Sequence, residues 1–537
     1  MEKKLLLGDE AIALGAIHAG IRGVYAYPGT PSTEITEYIQ QHPLARERNL
    51  HCTWCTNEKT AVEAALGASY AGARVIACMK HVGLNVAADA FVNAAITGVN
   101  GGMIVVVADD PSMHSSQNEQ DSRFYGKFSM ITTLEPSTQQ EAYDMMKYGF
   151  EFSEREKLPV LMRIVMRLAH SRAAVTVKEK ADPIKILPCA KDTASWVLLP
   201  ANSRRKYADL VKQQPHLENL AATTPYIRYE HAKENNPMGI LACGIGYNYV
   251  TEQKEATGQF NILKITQYPL PTDMIRRLAE ESSSILVVED GQPFVEEQIK
   301  GILSADYPVK GRLTGDLPRT GELTPDCVAE AMGHHQERYF DIPKNVVGRP
   351  PALCMGCGHR DVYAALNEVV KEYPKARVFA DIGCYTLGAL PPFRAIDTCL
   401  DMGASITMAK GAADVGVFPA IAVIGDSTFT HSGMTGLLDA VNDGAQITII
   451  ISDNLTTAMT GGQDSAGTNK FEAICLGIGV EPEHVRVVVP LPKNMEEITR
   501  ILREEIEYKG VSVIIPRREC IQTLNRKLKQ KRVEQKL

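Results

Sequence analysis

The chain contains no apolar run approaching the ~18 residues that a membrane-spanning helix needs, so no span is expected and membrane is not a predicted partner. Its first residues, Met1-Glu2-Lys3-Lys4-Leu5, lead into Gly8-Asp9-Glu10 rather than a signal-peptide cleavage site, and a cytoplasmic protein is expected. Excess positive charge is missing too. With a net charge of -7 and no basic face interleaved with aromatic side chains, nucleic acid is not an expected partner. The dense cysteine pairing of a secreted disulfide scaffold is absent: twelve cysteines spread over 537 residues leave any clustered pairs to be read as metal, cluster or redox candidates. A full dinucleotide fingerprint is lacking as well. Gly244-Ile245-Gly246 ends an apolar run, but without the third glycine it reads as a tight turn in a small α/β domain.

What remains is an ordinary soluble composition, 45% apolar and 23% charged, on a chain too long for one core. Two to four domains are expected. The most informative stretch runs from Val423 to Gln463. An apolar run (Ile421 to Ile424) stops at Gly425-Asp426-Ser427, a helical pattern continues through Met434, Leu437, Leu438 and Val441, and a second apolar run (Ile447 to Ile451) stops at Asp453-Asn454. In a parallel sheet the two strand ends share one edge, where open α/β proteins bind ligands. Asp426 and Asn454 would meet there, a carboxylate and an amide oxygen suited to Mg2+ and, through it, a phosphate. An ordinary βαβ unit with turn residues at its strand ends fits the same spacing.

Upstream, residues 1 to about 185 alternate strand-like and helix-like segments, as a parallel α/β domain does. Gly23 to Tyr27 reads as a strand, and Pro28-Gly29-Thr30-Pro31-Ser32-Thr33-Glu34 as a turn entering a helix. The hydroxyls of Thr30, Ser32 and Thr33 serve either an anion at a helix start or plain capping. Glu58 falls in the first turn of a small-residue helix, where a carboxylate already suits the dipole. Cys52-Thr53-Trp54-Cys55, a C-x-x-C with no second pair beside it, is read as two buried or free thiols. The polar run Ser115 to Arg123 is a solvated loop or a substrate lip, in which Arg123 could hold a carboxylate. Residues 186–235 have weak periodicity and read as a connector; 236–345 resume a smaller α/β alternation; 346–524 form the last α/β block, with Cys354-Met355-Gly356-Cys357 at its start and a glycine-rich helix entry at Gly403; 525–537 are a basic, solvated tail.

Two α/β blocks and a smaller one, with G-D-x and a later N in the last, resemble thiamine diphosphate enzymes. Tyr27-Pro28-Gly29-Thr30-Pro31-Ser32-Thr33 is similar to the Y-P-x-T-P-S-S of 2-oxoacid:ferredoxin oxidoreductases. Asn57-Glu58-Lys59, Lys80-His81-Val82-Gly83-Leu84-Asn85, Ser115 to Asp121, Gly321-Glu322-Leu323 and Thr460-Gly461-Gly462-Gln463 resemble the indolepyruvate branch, over nearly all of residues 1–520. The resemblance implies an α/β fold with a pyrimidine-binding domain (1–185), a transketolase-C-like domain (236–345) and a diphosphate-binding domain (346–524). It implies thiamine diphosphate and Mg2+, with Gly403, Gly425, Asp426, Ser427, Asn454 and the carbonyl of Thr456 on the diphosphate side and Glu58 at the aminopyrimidine ring. Thr30 and Arg123 become candidates to contact the 2-oxo acid or the cofactor.

In the related pyruvate enzymes four cysteines hold a 4Fe-4S cluster, and Cys354, Cys357, Cys384 and Cys520 fall at comparable places; a structural half-site or free thiols is the other reading of the first pair. The implied activity is oxidative decarboxylation of an aryl 2-oxo acid with CoA, ferredoxin or a similar carrier being reduced and a separate beta subunit completing the enzyme. A non-oxidative decarboxylase or carboligase is the alternative. Two departures stand out: Ser427 replaces the glycine of the diphosphate motif, and the cysteine-rich ferredoxin-like extension common in the family does not follow residue 520.

Overall fold

The computed structural model describes residues 2–188, 193–233, 236–253, 258–334, 343–348 and 350–534. The chain divides into two compact units, Met1–Asp341 and Ile342–Leu537.

In the first unit the strand order of the main sheet is Gln267–Tyr268, Thr133–Leu134, Val160–Val165, Met103–Asp109, Val75–Lys80, Gly23–Ala26 and His51–Trp54; all neighbours are parallel except the outermost pair, Gln267–Tyr268 with Thr133–Leu134. Its central strands are buried on both faces and read as continuous apolar runs, as the middle of a doubly covered parallel sheet must. A second sheet of five strands is built around Met238–Cys243, flanked in parallel by Asn261–Ile265 and Ser284–Val288. Gln267–Tyr268 therefore lends a strand from the 236–345 region to the first sheet, tying the two layers together. The Gly244 turn is as expected: Gly244 has φ +47°, and a Cβ on Gly246 would come within 2.6 Å of the Val288 carbonyl oxygen, so the helix from Gly246 packs directly on the sheet.

The segment expected to be an irregular connector contains a 23-residue helix, Pro200–Ala222. Its apolar contact is a thin stripe of Leu210, Leu217 and Ala221 on an otherwise polar cylinder interrupted by Pro215, which is why no periodicity stands out in the sequence. Residues 189–192 and 234–235 of that segment lie outside the described residues.

The second unit holds a wholly parallel six-stranded sheet, ordered Thr398–Cys399, Arg377–Ala380, Ala420–Gly425, Ile447–Ser452, Val511–Pro516 and Val485–Val488. The basic tail, 525–537, continues a helix that starts at Ile521 and runs to Glu534, and its Arg526 donates to the Gly461 carbonyl at 2.7 Å; residues 535–537 lie outside the described residues. No helix among the described residues is long and apolar enough to cross a membrane.

Candidate functional site

Ala420–Gly425 and Ile447–Ser452 are adjacent parallel strands with Gly425 opposite Ser452, so the residues beyond their ends emerge side by side. Asp426 Oδ2 and Asn454 Oδ1 both accept from the Thr456 amide, at 3.1 and 3.2 Å. Their oxygens thus converge on one turn, in which Leu455 is held at φ +61°. Asp426 is buried and forms no ion pair among the described residues. Burial, and then the neighbouring Asp453, push its carboxyl up to about 7. A buried carboxylate beside an amide oxygen, with no protein cation opposite, is a donor set that a hard divalent ion completes.

The surrounding loops explain the rest of the motif. Ser427 takes the place of glycine without distortion: its amide donates to Asp426 Oδ1 at 2.6 Å and its hydroxyl accepts from Thr457 at 3.0 Å. Thr460-Gly461-Gly462-Gln463 is a tight loop, with φ +128° and +89° at its glycines, folded back so that the Gln463 carbonyl accepts from the Thr456 hydroxyl at 2.9 Å. Gly403 starts the helix Ala404–Asp414 at φ +99°, where a Cβ would lie 2.6 Å from that of Ser432. Its amide donates to Asp381, as do the amide and hydroxyl of Ser405. Asp381 was missed in the sequence, although it ends the strand Arg377–Ala380 as Asp426 ends its own.

Cys354, Cys357, Cys384 and Cys520 line one cavity of about 140 Å³, together with His359, Asp453, Asn454 and Arg518. None forms a disulfide. Burial first, then the neighbouring Cys520, Cys357, Cys354 and Asp426, push the Cys384 thiol up to about 12. The fourth cysteine is fixed by its backbone, the Cys520 amide donating to the Asn454 carbonyl at 3.0 Å, so the metal turn and the cysteine cavity share a wall. His359 Nδ1 lies 3.2 Å from Cys357 Sγ. Four unpaired thiols around one cavity suit an iron–sulfur cluster.

The first unit carries a separate constellation. Glu58 opens the helix Glu58–Tyr70, capped by Asn57, and is buried. A Cβ on Gly83 would sit 2.4 Å from Glu58 Oε1, so the glycine makes room for the carboxylate. The hydroxyls of Ser32 and Thr33 serve the local turn, bonding to the Gly29 carbonyl and amide, while Thr30 stays partly exposed. Cys52 and Cys55 are thiols that burial pushes up, Cys52 to about 12.

Arg123 does not fit the substrate role expected of it. It is fully buried, with its guanidinium bound to Asp121 at 2.9 Å, to Glu289 at 3.0 Å and to the Gln292 carbonyl at 3.1 Å, and every direction of the fork is used inside the protein. A polar run in the sequence does not distinguish an arginine facing solvent from one facing acids distant in the chain. A second cluster, buried Asp9 with the partly exposed Glu34 and His170, brings its oxygens and imidazole within 4.8 Å of one another. Burial and then Glu34 raise the Asp9 carboxyl well above its usual range, which suits a proton shared between the two acids.

Residues 14–237 match the pyruvate flavodoxin/ferredoxin oxidoreductase family of thiamine diP-binding domains, and residues 381–515 match the C-terminal TPP-binding domain of thiamine pyrophosphate enzymes. Fold and site together define a thiamine diphosphate enzyme of the 2-oxoacid:ferredoxin oxidoreductase class. The chain is 37% identical to the indolepyruvate oxidoreductase subunit IorA of Pyrococcus horikoshii and 38% identical to that of Archaeoglobus fulgidus, in each case over 97% of this chain and 86% of the relative. It belongs to the IorA family. The structure of a 2-oxoglutarate:ferredoxin oxidoreductase from Magnetococcus marinus is similar in fold, with a TM-score of 0.51 at 18% identity over 62% of this chain; the match spans 65% of that chain.

Proposed function

We propose that this chain is the thiamine-bearing subunit of an enzyme that oxidatively decarboxylates aryl 2-oxo acids such as indolepyruvate, with CoA as acyl acceptor and ferredoxin or a similar carrier as electron acceptor. A separate beta subunit completes it. The carrying observation is that four cysteines line one cavity whose wall includes Asn454, beside the buried Asp426. A thiamine enzyme that only decarboxylates has no use for four thiols there.

Asp426, Asn454 and the Thr456 carbonyl would hold Mg2+, with Gly403, Gly425 and Ser427 giving backbone approach to the diphosphate. Bound thiamine diphosphate supplies the electron sink that lets a 2-oxo acid lose CO2. Glu58 would hydrogen-bond the aminopyrimidine ring nitrogen, where a carboxylate assists proton transfer at the reacting end. The thiolates of Cys354, Cys357, Cys384 and Cys520 would hold a 4Fe-4S cluster, whose chemistry is one-electron transfer. Thr30 contributes a hydroxyl near the substrate.

The test is anaerobic co-expression with the beta subunit, then measurement of iron and acid-labile sulfide per chain and of viologen reduction with indolepyruvate and CoA. About four irons per chain and acceptor-dependent turnover are expected. A preparation with no iron that releases CO2 without an acceptor would overturn the oxidative reading.

A further inference from the structure

Three neighbouring parallel strands of the first unit, Gly23–Ala26, Val75–Lys80 and Met103–Asp109, end on one edge of the sheet, with Ala26 opposite Cys78 and Lys80 opposite Ala108. Their ends bring together Gly29 and Thr30 beyond the first strand, Lys80 itself on the second, and Asp110 and Ser115 beyond the third. Ser115 ties the group, its carbonyl accepting from Lys80 Nζ at 3.0 Å and its hydroxyl donating to the Thr30 carbonyl at 3.3 Å. Gly29 accommodates the lysine stem, since a Cβ there would stand 3.1 Å from Lys80 Cγ.

Among the described residues, Lys80 is the cation left over at this edge. Arg123 and Arg163 are consumed by buried acids and Arg167 by Glu322. Lys80 has no ion pair among the described residues, and a carbonyl oxygen is its hydrogen-bond partner. Burial draws its ammonium below the usual range, opposed by the charges of Asp110 and Glu58. Asp110 is committed elsewhere: it accepts from the Ser115 amide at 2.8 Å and the Ser116 hydroxyl at 2.7 Å, which folds the loop that presents Ser115. A partly buried ammonium with no carboxylate at ion-pair distance among the described residues, held only in the fields of Asp110 and Glu58, can still take up an anion.

We propose that Lys80 is the specificity-determining residue that binds the carboxylate of the 2-oxo acid, the part that Arg123 is too deeply buried to play. The inference rests on the function proposed above. The carboxylate takes the Nζ direction now bonded to the Ser115 carbonyl or one of the two remaining N–H donors, leaving the aryl end of the substrate free of charge contacts.

The test uses the anaerobic complex with its beta subunit and compares wild type with K80Q and K80R. Calorimetry with thiamine diphosphate and Mg2+ comes first. Competition by two unreactive analogues, indole-3-lactate and its uncharged amide, comes second. Loss of a charge-assisted contact in K80Q should raise the KM for indolepyruvate roughly 10- to 100-fold and abolish the preference for acid over amide, with cofactor affinity unchanged; K80R should restore most of the preference. If K80Q binds the cofactor normally and still prefers the acid, the proposal fails. It fails equally if the substitution weakens only cofactor binding. Wild-type complex that binds no thiamine diphosphate would instead sink the underlying functional reading.

Discussion

Replacing Arg123 with methionine should destabilise the first unit without directly touching substrate recognition. The guanidinium is wholly buried and neutralises Asp121 and Glu289, with Glu135 3.7 Å away. Methionine keeps much of the volume but strands those carboxylates. Breaking a buried pair by removing one partner costs about 3–5 kcal/mol. The unit spans Met1–Asp341, and at ~2.1 cal/mol/K per residue its unfolding entropy implies a drop of roughly 4–7 °C in its melting transition. The cost should depend on pH. Burial already pushes Glu289 up to about 7 against the opposing charge of Arg123, and removing that charge moves it higher. A group whose folded pKa is raised loses its contribution as pH rises through that value, so R123M should be least impaired near pH 6 and most impaired near pH 8. Scanning calorimetry of both proteins across that range provides the check. A variant that melts with wild type yet shows a KM for the 2-oxo acid raised tenfold or more would refute the assignment and return Arg123 to the substrate.

Glu58→Gln should slow turnover severely while retaining the fold, and Gly83→Ala should reproduce part of that loss, because its methyl would displace the Glu58 carboxylate; steady-state rates alongside circular dichroism test both. Asp426→Asn should abolish Mg2+-dependent cofactor binding in calorimetry. Without metal the wild-type protein should lose stability as pH rises through about 7, since Asp426 must then ionise unpaired, whereas the asparagine variant should not; parallel slopes would argue against the anchor. Asp9→Asn replaces a carboxyl that burial raises well above its usual range with an amide of the same shape, so it should cost little stability near neutral pH and flatten the alkaline decline. A clear destabilisation at pH 8 would mean that Asp9 is charged.

Local signals were the legible part of the sequence. Alternating apolar runs place the strands, and a polar residue after each run marks the ligand edge, so Asp426 and Asn454 could be paired without coordinates. The four cysteines came from resemblance, because Cys384 lies 27 positions after Cys357 and Cys520 lies 136 positions after Cys384. What brings Cys520 beside Asn454 is the parallel pairing of Val511–Pro516 with Ile447–Ser452, a strand exchange invisible to spacing. The Pro200–Ala222 helix was illegible for the opposite reason: too few of its side chains are buried to impose a period.

Arg123 and Lys80 show why charge type alone misleads. Arg123 stands in a run of polar residues that looks solvated, yet its acids come from Glu289, 166 positions away, and from Glu135 on the far side of a short strand. Lys80 ends an apolar strand, which makes it look like a boundary residue. Its position has a physical consequence that the arginine's lacks: a strand end on a parallel sheet's carboxyl edge projects into the crevice where ligands bind, whereas a loop residue can turn back into the core. Where a sequence offers several cations for an anionic substrate, the one that terminates a central parallel strand is therefore the better candidate, and the arginine is better read as a strut whenever several acids fall near it in the fold. Here the two roles separate by measurement, because R123M should move the melting transition and K80Q the preference for acid over amide.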